Sequence, residues 1–281
     1  MTTTTNSARS AISRNGHPSP AVEPKVTHTR VLRSEWIKIR SVRSTVWAVV
    51  AMAAALISGA VFAAVGMVVS DSPPAATAVA TDPSGGALSG TGLAQLAVIA
   101  FGVVAVTGEY RTRMIRSSVA AVPTRLPLVW GKAAVVAASA AVVSLAALLL
   151  SFLVASLVVA TEDLSISLTT PGVARAMIGS ALALGVTGAL ATGFGWLLRN
   201  TAAAIFLLLA VLYVVPTLAT LLPQSVGEKV VPFLPSNAIA ALTQVAPVEG
   251  ALPPGAGLAV YAGYAVITLL ASALVLRRRD A

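Results

Sequence analysis

The chain has 281 residues, 57% hydrophobic and 10% charged, with a mean hydropathy of +0.87 and a net charge of +9. Soluble domains carry about 25% charged residues, so this composition has too little polar surface for a soluble globule and excludes one. The absence of cysteine excludes disulfides, thiolate catalysis and thiolate metal sites.

Residues 1–28 are rich in Thr, Ser, Asn and Pro and hold no apolar stretch of leader length, which predicts a disordered cytoplasmic tail. The only two histidines, His17 and His28, sit there, so none is available as a base or zinc ligand at membrane depth. Residues 29–281 are expected to form one membrane domain. It opens with Arg30–Arg43, where Leu32, Trp36, Ile39, Val42 and Val46 recur at helical spacing among basic residues. This predicts an amphipathic helix lying in the membrane interface. A plain basic anchor with Trp36 at the headgroups accounts for much of the pattern, but not for Glu35. A carboxylate on the buried side of such a helix requires a cation, either Lys38 at i+3 or a basic residue from another segment.

Apolar runs follow at 46–69, 88–107, 133–160, 173–198, 201–222 and 257–276. Each is long enough to cross about 30 Å of hydrocarbon. The fourth and fifth are separated only by Arg199 and Asn200; together they far exceed one crossing, so they read as a tight hairpin. Pro216 predicts a kink in the fifth. Gly179, Gly185, Gly188, Gly193 and Gly195 in the fourth allow close helix approach, either within the chain or across a dimer face. The fold class is thus all-α integral membrane, a six-helix bundle.

Basic residues set its orientation, because cytoplasmic loops hold the Lys and Arg excess. Of 19, all but Arg175 and Lys229 fall before the first span, between the second and third, at Arg199 or at the C-terminus. Asp71, Asp82, Glu162, Asp163, Glu228 and Glu249 occupy the opposite loops. Both termini are therefore expected in the cytoplasm, and the positive charge is explained by this asymmetry and by anionic membrane lipid, with no nucleic-acid partner implied.

Every charged residue falls in a loop or near a span end, which removes the usual hardware of ion-coupled transport. Gly131 and Lys132 are followed by Ala133 and no phosphate-binding loop precedes them, so the chain is not expected to hydrolyse ATP or act as an enzyme by itself. The one sizeable inner loop between spans is 108–127. There Glu109 with Arg111, Arg113 and Arg116 makes a mixed-charge knob, and Tyr110, Met114 and Ile115 offer apolar contacts suited to a groove on another protein. Positive-inside topology alone explains the arginines but leaves Glu109 and Tyr110 unaccounted for.

The run from Leu32 to Thr45 ahead of a span, Gly108-Glu-Tyr-Arg-Thr112 and Ala120-Ala-Val-Pro123 after the second span, and Leu234-Pro-Ser-Asn237 before the last resemble the actinobacterial ABC-2 type permeases. These are the membrane subunits of ATP-binding cassette exporters in the bacterial cell membrane. The resemblance covers the chain from about Arg30 onward. It implies a coupling helix at Glu109, Tyr110, Arg111, Arg113, Met114 and Arg116, and a connecting helix containing Glu35, Trp36, Lys38 and Arg40. It further implies a second permease copy, a separately encoded ATPase carrying ATP and Mg, and a cargo path along the second and fifth spans. The loop 223–256 would form a partly re-entrant outer gate. An apolar path would suit a drug, antibiotic, peptide or lipid. A membrane scaffold or sensor subunit that anchors a cytoplasmic partner without moving cargo is the alternative.

Overall fold

A computed structural model describes residues 28–69, 86, 88–112, 114, 126–160, 167–246 and 250–278. Its elements are helical. Helix α1 (His28–Ser41) leads through a break at Val42 into α2 (Arg43–Val69), followed by α3 (Thr91–Arg111), α4 (Leu126–Val159) and α5 (Val173–Leu198). Then come α6 (Thr201–Leu209), a π-helical turn (Ala210–Val214), α7 (Val215–Ala219), α8 (Gln224–Val230), a 3-10 turn (Val231–Phe233), α9 (Pro235–Thr243) and α10 (Pro254–Arg278). Apart from His28, the predicted tail lies outside the described residues.

Among the described residues, six helical segments are long and apolar enough to cross a membrane: Arg43–Gly66, Thr91–Arg111, Leu126–Val158, Val173–Leu198, Thr201–Ala219 and Pro254–Arg278. The chain is a multi-pass, all-α membrane protein. Helix α5 is its centre, packing against α3, α4, α6, α9 and α10. The α5 span is 67% buried, against 17% for the fifth span.

Small residues explain why α5 can be central. A Cβ on Gly179 would collide with the Leu242 carbonyl, one on Gly193 with the Thr268 side chain, and one on Gly195 would press on Val106. Gly185 and Gly188 lie against the Ala137–Ala141 stretch and Val136 of α4. All five glycines therefore serve packing within the chain, where backbones approach closely enough for dispersion to replace the absent hydrophobic drive. Some hydroxyls in the spans are satisfied by their own helix: Ser144 donates to the Ala140 carbonyl and Ser151 to Ala147.

Two features depart from the expected outline. The fifth span carries a π-helical turn just before Pro216, with the Val215 N–H reaching the Ala210 carbonyl. Proline lacks an N–H and its ring crowds the preceding turn, and widening that turn accommodates both. The loop before the last span is largely helical. Its α9 buries Pro235, Ala238, Ala241 and Leu242 against α5 and α10, with Gly257 of α10 close under the Ala238 carbonyl.

Candidate functional site

Four charged side chains from three helices meet at the end of the bundle that carries α1. Glu35 and Lys38 come from α1, Glu109 from the last turn of α3, and Lys132 from the second turn of α4. Lys38 Nζ lies 2.7 Å from Glu35 Oε1 and 3.1 Å from Glu109 Oε1. Lys132 Nζ bonds Glu109 Oε1 at 2.9 Å and also pairs with Glu35 Oε2. Glu35 is fully buried, Lys132 2% exposed and Glu109 7%.

The local sequence builds this tetrad. Val31, Glu35 and Ile39 are the buried residues of α1; at i, i+4 and i+8 they form one stripe. α1 packs mainly on α4, and Gly131 permits this approach, since a Cβ there would press on Val31 Cγ1. The lysine that follows Gly131 is thereby brought to Glu35. Two carboxylates and two ammonium groups cancel in charge. Burying them costs several kcal/mol per ion, which only a completed network repays.

Lys38 shows the balance. Burial pulls its pKa down, but hydrogen bonds and charge from Glu35 and Glu109 outweigh that and hold it above the ordinary lysine value. Glu109 Oε2, sealed from water, has no partner.

The placement of the expected site residues is mixed. Glu35, Lys38 and Glu109 come together, and Lys132, which the loop count had set outside the spans, completes them. The apolar stripe of α1 is out of phase with the expectation: Leu32, Trp36, Val42 and Val46 are exposed at the bundle surface and only Ile39 is buried. A hydrophobic periodicity cannot distinguish a lipid-facing side from one facing protein, and here the protein-facing side contains a glutamate. Arg40 is exposed.

Part of the expected mixed-charge knob lies within the described residues. Glu109 and Tyr110 belong to the last turn of α3 and turn inward, because Glu109 finds two lysines there. The Tyr110 ring meets Trp196 edge-on, with centroids 5.8 Å apart and planes at 79°, and the Arg199 guanidinium lies over it at 5.2 Å. Arg111 and Met114 are exposed. Arg113 and Arg116, the other two residues expected in the coupling helix, lie outside the described residues.

Sequence reasoning missed a second polar chain, deeper in the bundle. Tyr213 of the π-helical turn donates to Gln95 Oε1 of α3 at 2.9 Å. Gln95 Nε2 reaches Thr187 Oγ1 of α5 at 3.4 Å, and Thr187 shares a 2.8 Å hydrogen bond with Tyr261 of α10. The chain ties four spans. Single polar residues in apolar runs signal that a partner exists, but not which one.

No protein-family model matches the chain, and a search of curated proteins finds no match either.

Proposed function

We propose that the chain is the membrane permease subunit of an ATP-binding cassette exporter, moving a hydrophobic or amphipathic cargo outward at the expense of ATP hydrolysed by a separate subunit. The observation that carries this reading is the Glu35–Lys38–Glu109–Lys132 tetrad. It clamps an interfacial helix to the last turn of α3 and the start of α4, the two ends that flank residues 112–125. A force applied to that connecting segment would be delivered to α1 and to two spans together. Interlocked buried charges favour discrete arrangements over continuous deformation, as a two-state transport element requires.

The reading also draws on the resemblance of 32–45, 108–112, 120–123 and 234–237 to ABC-2 type permeases. In it, both termini are cytoplasmic, two permease copies pair, and residues 109–116 meet the ATPase. The thinly packed fifth span, with its π-helical turn and Pro216, is suited to lining a path or meeting the second copy. ATP and Mg belong to the partner.

The test is reconstitution. The chain and the cassette ATPase expected from the neighbouring gene are placed in lipid vesicles, and ATP hydrolysis and cargo movement are followed. Vectorial transport with cargo-stimulated hydrolysis supports the exporter. Stable association without movement of any hydrophobic cargo supports the scaffold or sensor subunit instead.

A further inference from the structure

Beside the tetrad, a recess opens between the last turn of α3 and the tight turn joining α5 to α6. Its cavity of about 430 Å³ is lined by Thr107, Tyr110, Arg111, Arg199, Asn200 and Thr201 among others.

Arg199 is the residue that demands a reason. It caps α5 with φ 54°, and among the described residues no other non-glycine residue has a positive φ. A left-handed helix cap disfavours any Cβ, which is why glycine usually occupies it. A residue needed only to end the helix would be glycine, so an arginine in this conformation is there for its guanidinium. That group stacks on the Tyr110 ring. Its Nε is sealed from water without a hydrogen-bond partner.

Arg111 is a second guanidinium in the lining, and no carboxylate lines the recess. Helix α6 starts at its edge. The Asn200 side chain accepts the Ala203 N–H at 3.0 Å, while the N–H groups of Thr201 and Ala202 precede the first helical bond and have no carbonyl within the helix. Two guanidiniums beside a helix start attract a tetrahedral or planar anion, and arginine forks match phosphate oxygens.

We propose that this recess binds a phosphate group, held by Arg199 and Arg111 at the start of α6. At the end of a membrane span the phosphate within reach is that of an anionic phospholipid headgroup; free inorganic phosphate offers the same chemistry. The site stands on the recess alone, whether or not the chain serves an ATPase.

The experiment measures thermal unfolding of the purified full chain in detergent micelles, titrated with phosphatidylglycerol, phosphatidylcholine or inorganic phosphate. Wild type is expected to be stabilised by phosphatidylglycerol over phosphatidylcholine. Arg199→Gly fits the left-handed cap, so it should fold and bind at least about tenfold more weakly, the loss expected of a charge-assisted pair. Arg278→Gln removes one charge outside the recess and should bind as wild type does. If inorganic phosphate gives the Arg199-dependent shift and the lipid adds nothing, the site is upheld with a soluble occupant. If Arg199→Gly responds like wild type, if Arg278→Gln loses as much, or if neither ligand stabilises wild type, the proposal is overturned. Should Arg199→Gly fail to fold, Arg111→Gln, at an exposed position, carries the same expectation.

Discussion

Lys132 and Glu35, 97 residues apart, form a buried ion pair that fastens α1 to α4. Neither side chain reaches bulk water, so each is the other's main compensation for lost hydration. The pair therefore constrains where α1 can lie more firmly than any surface contact would.

Lys132→Met should be costly, because it leaves Glu35 buried without its closest cation. Breaking one partner of a buried pair costs about 3–5 kcal/mol, whereas replacing both with apolar groups is often near neutral. The double variant Glu35→Leu with Lys132→Met should thus be more stable than Lys132→Met alone. Thermal unfolding in detergent checks this, and equal losses in single and double variants would contradict the assigned pairing.

Alkaline titration should expose Lys38. Its folded pKa is raised above the ordinary value of 10.5 by Glu35 and Glu109, despite the opposing effect of burial. A raised lysine pKa contributes stability that is fully present below 10.5 and is lost as pH climbs through the folded value. The stability difference between wild type and Lys38→Gln should stay flat from neutral pH to about 10.5 and shrink above it. A difference that already shrinks below pH 9 would contradict the assignment.

Glycines on α5 and α10 should behave in opposite ways on substitution by alanine. A Cβ at Gly179 meets the Leu242 backbone, whereas one at Gly263 meets nothing within 4 Å. Gly179→Ala should lose about 1–3 kcal/mol through overpacking, and Gly263→Ala should be neutral or stabilising by up to about 1 kcal/mol through helix propensity. Melting both variants side by side gives the answer.

Tyr213→Phe should remove the hydroxyl that donates to Gln95 Oε1 while keeping the ring. The expected loss is about 0.6 kcal/mol and no more than about 1.7 kcal/mol, the average and the maximum for hydrogen bonds between membrane helices. Thr187→Val cuts the same chain at its middle, so the double variant should lose less than the sum of the two singles. Additive losses would mean that the two bonds act independently.

The six spans were legible because a 20-residue apolar run has few other uses, and the fourth was bounded as Val173–Leu198 from its sequence alone. The end of α3 was not legible. Glu109 and Tyr110 look like loop residues until lysine and tryptophan partners from distant segments let them stay helical. Lys132 was hidden for the same reason: a charge beside a span reads as the limit of the span, although here α4 begins six residues before it. Glu35 did signal a missing cation, and both cations anticipated for it, Lys38 and one from another segment, are present. The π-helical turn was readable only as a kink at Pro216, since which backbone bonds rearrange depends on the neighbours of the helix.

The central claim is that a soluble nucleotide-binding subunit acts on this membrane bundle through the segment after α3. The chain has no cysteine, so Met114→Cys provides a single, unambiguous attachment point at an exposed position. Crosslinking from that position in native membranes, with and without ATP, is the most direct measurement. The account predicts a crosslink to an ATP-binding cassette protein whose yield changes with nucleotide. Labelling of that cysteine only from the outer face, or crosslinks that never include a nucleotide-binding protein, would contradict it.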